Sequence, residues 1–243
     1  MSYLLDTLDT LDAAAIASAG NVSESIRTRG MHLATVTEAL TAVGTAASGT
    51  SYEYMLISFT TPGGNAEMRS FKSTPKDPND PALVEKSNRA NKRDLDNVAR
   101  LAKAAGLKDI KAALANAQSG TDAKGNAATI FPKLIGKKVN IAIFTEISAE
   151  DKDATKVYAK QTIDPYKFLS TEGTDALGRN RLDAFQEEME NRIEIFYKDD
   201  KNPACIQKLA QLKEAALPTA APAPTQDAPA TTVAQSAATD IDI

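Results

Sequence analysis

Apolar and polar positions are most sharply patterned between Ser51 and Lys72. Tyr52, Tyr54, Met55, Leu56, Ile57 and Phe59 form an aromatic and β-branched run, Pro62-Gly63-Gly64-Asn65 supplies turn residues, and Met68 to Lys72 returns. That order predicts a hairpin. Period-two alternation sets Tyr52 and Tyr54 on one face and Met55, Ile57 and Phe59 on the other, which is assigned to the core. Upstream, Arg29 to Glu38 suits a first strand and Gly44 to Thr50 a small-residue loop, while Leu4, Leu8 and Leu11, interspersed with Asp6, Asp9 and Asp12, predict a short amphipathic helix within 3–19 that packs either on the chain's own body or on a neighbouring copy in a homo-oligomer.

Downstream the period changes. Asp80-Pro81 is a helix start with an aspartate N-cap, the spacing of Leu95, Val98, Ala102 and Ala105 carries the helix on, and Gly106 ends it. Leu107, Ile110 and Leu114 predict a second, shorter helix, and the polar stretch from Gln118 to Ala128 a loop. Val139, Ile141, Ile143, Thr145 and Ile147 alternate as a strand, and Thr155 to Ile163 follows as another. Residues 164–179 read as irregular. Leu182, Phe185, Met189, Ile193 and Phe196 recur at helical spacing, although 192–198 also fits a strand, and Asn202-Pro203 opens a last helix. From Leu217 the chain turns to Ala, Pro, Thr and Gln, which predicts a disordered tail ending in Asp240, Ile241, Asp242 and Ile243.

Charge changes this picture. Residues 27–138 hold 17 Lys and Arg against 10 Asp and Glu, a net of +7, so a chain whose net charge is -4 is basic in its middle and acidic at its ends. Such asymmetry points to a polyanionic partner or to an internal electrostatic contact between tail and body. On the predicted helix, Lys86, Arg89, Arg93 and Arg100 share a basic face opposite the apolar positions. Rings close to cations suit single-stranded nucleic acid, because bases stack on rings while Lys and Arg meet phosphates. The stacking candidates are Tyr52, Tyr54, Phe71 and Tyr158; the phosphate candidates are Arg69, Lys72, Lys137, Lys138, Lys156 and Lys160, with Arg89 and Arg93 as outlying contacts.

Catalytic chemistry is poorly represented. His32 and Cys205 are the single histidine and the single cysteine, far apart in sequence, and no zinc spacing can be assembled from them. Neither a phosphate loop nor a dinucleotide fingerprint occurs. Neither metal nor cofactor is expected, and the expectation is a protein that is not an enzyme. One cysteine and an acid-interrupted N-terminus predict a cytoplasmic protein.

The predicted order β-β-β-α-β-β is that of a five-stranded OB-fold-like barrel, a mainly β, α+β architecture with helical insertions and a disordered tail. In layout the chain resembles bacteriophage single-stranded DNA-binding proteins, with an OB-fold body, a Pro/Ala-rich linker and an acidic-apolar tip. The chain divides into an N-terminal amphipathic segment at 1–26, outside the resemblance, and a nucleic-acid-binding domain at 27–198 with a helical insertion at 81–117. A C-terminal helix at 199–216 and the linker and tip at 217–243 complete the layout. The resemblance implies a function: coating single-stranded DNA in replication, recombination and repair, with Asp240, Ile241, Asp242 and Ile243 recruiting replication or recombination proteins. The alternatives are a structural or assembly protein of a phage and an RNA-binding or chaperone protein.

Overall fold

The computed structural model describes residues 26–150 and 153–215. The predicted N-terminal helix and the C-terminal tip, Asp240 to Ile243, lie outside these residues. The described elements run β1 (Gly30–Thr45), β2 (Ser51–Thr61), β3 (Gly64–Phe71), α1 (Pro81–Ala104), α2 (Ile110–Leu114), β4 (Gln118–Thr121), β5 (Ala127–Ile130), β6 (Lys138–Glu150), β7 (Asp153–Ile163), α3 (Leu182–Asn191), β8 (Ile193–Ile195) and α4 (Pro203–Ala215). No described helix is long and apolar enough to cross a membrane.

All eight strands join one sheet, and β1 is its hub. Along one side it pairs antiparallel with β2, which pairs in turn with β3 across the expected hairpin. On the other side its first part, Gly30 to Thr35, pairs with β6, and Leu40 to Ala42 pair with β5. A bulge between Val36 and Glu38 interrupts the β1–β2 register. An extra residue in one strand bends it and sharpens its twist, which is how one strand serves successive neighbours. Beyond β1, β6 pairs antiparallel with β7 and parallel with β8.

This is not the expected five-stranded OB-fold-like barrel. A closed barrel gives every strand two hydrogen-bonded neighbours, whereas β3 pairs only with β2 and β7 only with β6. The sheet is open, and the resemblance to single-stranded DNA-binding proteins, which required closure, is corrected with it. The stretch read as a loop at Gln118 to Ala128 also proves to be ordered, since Gln118–Thr121 and Ala127–Ile130 pair as a hairpin.

Local chemistry explains the elements. The Asp80 carboxylate accepts from the Ala82 and Leu83 amides at 2.9 and 3.4 Å, Pro81 stands in the first turn, and Gly106 at φ +74° ends the helix. Four five-residue turns, 46–50, 122–126, 170–174 and 175–179, share one hydrogen-bond pattern. In each the first amide donates to the fifth carbonyl, and the amide of the fourth residue, a glycine with φ between +76° and +80°, donates back to the first carbonyl. That φ is open to glycine and strained for other residues. Two of these turns fall in 164–179, where periodicity could not register them.

The main core lies between one sheet face and α1. Val36, Ile57, Phe59, Val139, Ile141 and Ile143 pack there with Val98, Leu101, Leu134 and Phe168. The opposite face is not left to solvent. Leu40, Ala42, Tyr54, Leu56 and Ala128 form a second cluster beside β4–β5, so the parity that placed Tyr54 outside had only one core to work with. On β6, too, both faces are buried between Val139 and Phe144.

Phe59 is fully buried against Phe168, with ring centres 6.0 Å apart. Phe59→Ala should therefore cost about 3–5 kcal/mol in a denaturant titration, whereas exposed Leu95→Ala should stay within about 0.5 kcal/mol.

Candidate ligand-binding cleft

The gap between the unpaired edges of β3 and β7 holds a cleft of about 530 Å³. Its floor is apolar, from Met55, Met68 and Ile163, the last of which belongs to the main core. Its rim is polar. β3 contributes Arg69 and Ser70, α1 contributes Arg93, Asp94 and Asn97, and β7 contributes Lys160, Gln161 and Thr162. Tyr166, just past β7, closes one side with a ring that is 58% exposed.

Several of these groups are held by local partners. The Arg69 guanidinium lies 3.4 Å from Glu67 and 5.6 Å from the Tyr54 ring centre. Lys160 meets Glu146 at 3.0 Å across the β6–β7 pair. Arg100 stands 4.5 Å over the Tyr166 ring and donates to Asn97 Oδ1 at 2.9 Å, so a cation backs one face of that ring. The Tyr166 amide donates to Asp164 Oδ1 at 2.9 Å, which fixes the turn that delivers the ring. Burial pushes the Asp94 carboxyl above its ordinary range, with Ser70 and Arg93 pulling the other way.

Of the candidates named from sequence, Arg69, Arg93 and Lys160 converge on the cleft from three separate elements. Tyr52, Tyr54 and Phe71 cluster instead on the outer face of the hairpin, with centroids 5.7 to 6.3 Å apart. Of these only Phe71, at 58%, is well exposed. Tyr54 is 6% exposed and unavailable for stacking. Tyr52 packs over Gly44, where a Cβ would meet the ring at 2.6 Å. Lys72 pairs with Glu53 at 2.7 Å, and Arg89 pairs with Glu85 on the outer side of α1. Lys137 and Lys138 stand at the start of β6 beside β1 and do not line the cleft. Tyr158, 44% exposed, and Lys156, 3.8 Å from Glu150, lie farther along the β6–β7 hairpin. Asn97, Gln161 and Tyr166 were not anticipated. The first two carry no charge to signal them, and Tyr166 falls in a stretch without periodicity.

Among the described residues, no group of three or more His, Cys, Asp and Glu side chains could hold a metal ion. No protein-family model matches the chain, and no curated protein matches it. The DNA-coating function expected from the sequence rested on a closed barrel. With the sheet open it is withdrawn, and the cleft must be read from its own chemistry.

The clearest electrostatic signature lies on the sheet face that Tyr54 shares with Arg69. Asp122 is held at about 2, chiefly because the Tyr54 hydroxyl donates to it; the Asn126 side chain and the Asn126 and Lys124 amides also donate, against the opposing effect of burial. A carboxyl depressed in the folded state adds stability that is complete above its unfolded pKa, about 3.9, and is lost as pH falls toward 2. Tyr54→Phe should move the Asp122 titration midpoint upward in an NMR pH series and flatten the loss of stability between about pH 4 and 2. An unmoved midpoint would show that the Asn126 side chain and the Lys124 and Asn126 amides hold the carboxylate without Tyr54.

Proposed function

We propose that this is a non-catalytic binding protein whose β3–β7 cleft holds an extended anionic chain. The observation that carries the reading is the convergence of Arg69, Arg93 and Lys160, from a strand, a helix and another strand, on one cleft with an apolar floor. Cations that border one gap from three separate elements, Arg69 from the sheet face of Tyr54 and Arg93 from the α1 face, can meet successive oxyanions of one ligand. The exposed Tyr166 ring, backed by Arg100, offers a flat surface beside them. The volume lies within the range of specific ligand sites.

The non-catalytic part rests on what the lining can do. His32 and Cys205, the side chains a nucleophilic mechanism would draw on, lie outside the cleft, and Cys205 is buried with its thiol pushed upward by burial. A cytoplasmic location belongs to the same proposal, on the strength of the single cysteine.

Fluorescence anisotropy with labelled probes tests the reading. Oligo(dT) and oligo(U) present phosphodiesters, the first of them the partner expected from the sequence, and oligo-glutamate presents carboxylates. For a phosphodiester strand held at three cations, log affinity should fall with log salt at a slope of about -2. Arg93→Glu combined with Lys160→Glu should weaken the preferred probe at least about tenfold at low salt, because two attractions become repulsions. Lys137→Glu, outside the cleft, should change it much less. Equal affinity in the double variant, or binding that ignores salt, would overturn the proposal.

A further inference from the structure

The two walls of the cleft are strand edges, and the bonds around them give their hydrogen-bond phase. In an antiparallel pair every second residue turns its N–H and C=O to the neighbouring strand, and the residues between turn theirs away. Lys72 donates to the Glu53 carbonyl at 2.9 Å, which fixes residues 64, 66, 68 and 70 of β3 as the set bonded to β2. Asn65, Glu67 and Arg69 therefore turn their backbone groups into the gap. Ile26 bears this out, since its amide donates to the Asn65 carbonyl at 3.0 Å while its side chain is buried in the main core. A piece of this chain's own backbone thus holds the first place on the β3 edge. On β7 the Asp164 amide donates to the Ala142 carbonyl at 2.9 Å, so residues 160 and 162 face β6 while Gln161 and Ile163 face the gap. Edge-on walls explain why consecutive residues, 67–70 on one side and 160–163 on the other, line a single cleft. β3 pairs only with β2 and β7 only with β6, so Glu67, Arg69, Gln161 and Ile163 offer amides and carbonyls that no strand meets.

Side chains divide by the same parity. Met68 on β3 and Ile163 on β7 turn to the main core, with Met55 beside them. Arg69 and Lys160 stand an odd number of positions away from these and share the other face. A strand laid in the gap meets cations with one set of its side chains and an apolar floor with the alternate set. Arg93 adds a cation from α1. The acids already present are Glu67 and Glu146, which pair with Arg69 and Lys160, and Asp94, which stands beside Arg93.

We propose that the occupant of the β3–β7 cleft is an extended polypeptide segment of a partner protein, with acidic and apolar residues in alternation, bound as an added strand. The assignment rests on the reading of the cleft as an anion site and names its ligand. A phosphodiester backbone brings oxyanions, which accept hydrogen bonds and leave the carbonyls of Glu67, Arg69, Gln161 and Ile163 unmet. A polypeptide brings donors and acceptors together, at the two-residue period of the edge. β3 and β7 run parallel, being linked through four antiparallel pairings, so one entering strand meets both in the same sense. Where the two come within 8 Å, Cα to Cα, its entry parts them toward two strand spacings, about 9.6 Å.

Amide exchange in the ¹⁵N-enriched full chain, with and without a capped hexapeptide of alternating Glu and Val, tests the pairing. Exchange should slow at Glu67, Arg69, Gln161 and Ile163, and change much less at Met68, Ser70, Lys160 and Thr162, which are already bonded to β2 and β6. Two further peptides, N-methylated on the Glu residues alone or on the Val residues alone, keep every side chain and lose the donors to one edge. At least one of them should bind about tenfold more weakly than the parent. Glu67→Gln should tighten the peptide by removing an opposing charge. Glu67→Pro removes the same charge together with a gap-facing donor, on an edge strand where proline is tolerated, and should bind more weakly than Glu67→Gln. Unchanged exchange at the four gap-facing amides under saturating peptide, or equal affinity for the parent and both methylated peptides, would overturn the proposal. Oligo(dT) bound at the cleft while the alternating peptide is ignored would uphold the anion site and overturn this ligand, and no binding by any of these anions would overturn both.

Discussion

Everything in this fold depends on the backbone ladder of β1. Sixteen residues supply hydrogen bonds to β2 along one side and to β6 and then β5 along the other. A straight strand would present one flat edge to one partner. The bulge after Val36 gives β1 its bend, and the change of neighbour follows it. Because β6 leaves β1 partway along its length, its remaining residues are free to carry β7 on one side and β8 on the other. β7 is thus brought opposite β3 without pairing to it, and the cleft is the space that arrangement leaves.

The electrostatics of that space favour exchange over permanence. Arg69 and Lys160 each have a carboxylate within 4 Å, but Arg69 and Glu67 are both exposed and Lys160 is half-exposed above Glu146. Exposed pairs of this kind contribute about 0–1 kcal/mol. An incoming oxyanion can replace either carboxylate at small cost, so the resident pairs hold the side chains in place without closing the site. The Tyr54–Asp122 contact beside Arg69 is different in kind. It is buried, its carboxylate accepts four donors, and it ties the β4–β5 turn to β2.

Elements with strong local chemistry were readable in the sequence. The β2–β3 hairpin declares itself through an aromatic and β-branched run ended by Pro62-Gly63-Gly64-Asn65, and α1 through Asp80-Pro81 at one end and Gly106 at the other. The β4–β5 hairpin does not, since Gln118–Thr121 and Ala127–Ile130 are four residues each and mostly exposed or half-exposed. Closure is a non-local property: β-β-β-α-β-β is compatible with β3 and β7 joined or apart, and nothing in either strand's pattern decides between them. The same limit governs the site. Charge nominated Arg69, Arg93 and Lys160 among eight cationic candidates, but only tertiary packing brings those three to one gap and sends Tyr54 into a second core.

An open sheet carries a liability that a barrel removes, because unpaired strand edges are templates for pairing with other chains. This chain handles its edges differently from one another. β4 and β8 are only four and three residues long. β3 is decorated with Glu67 and Arg69 and continues into Lys72, while β7 carries exposed Lys156 and Lys160. The cations assigned to ligand binding therefore double as gatekeepers against edge-to-edge association. Selection for a tighter or looser cleft cannot act on Arg69 or Lys160 without also acting on the solubility of the protein that carries them.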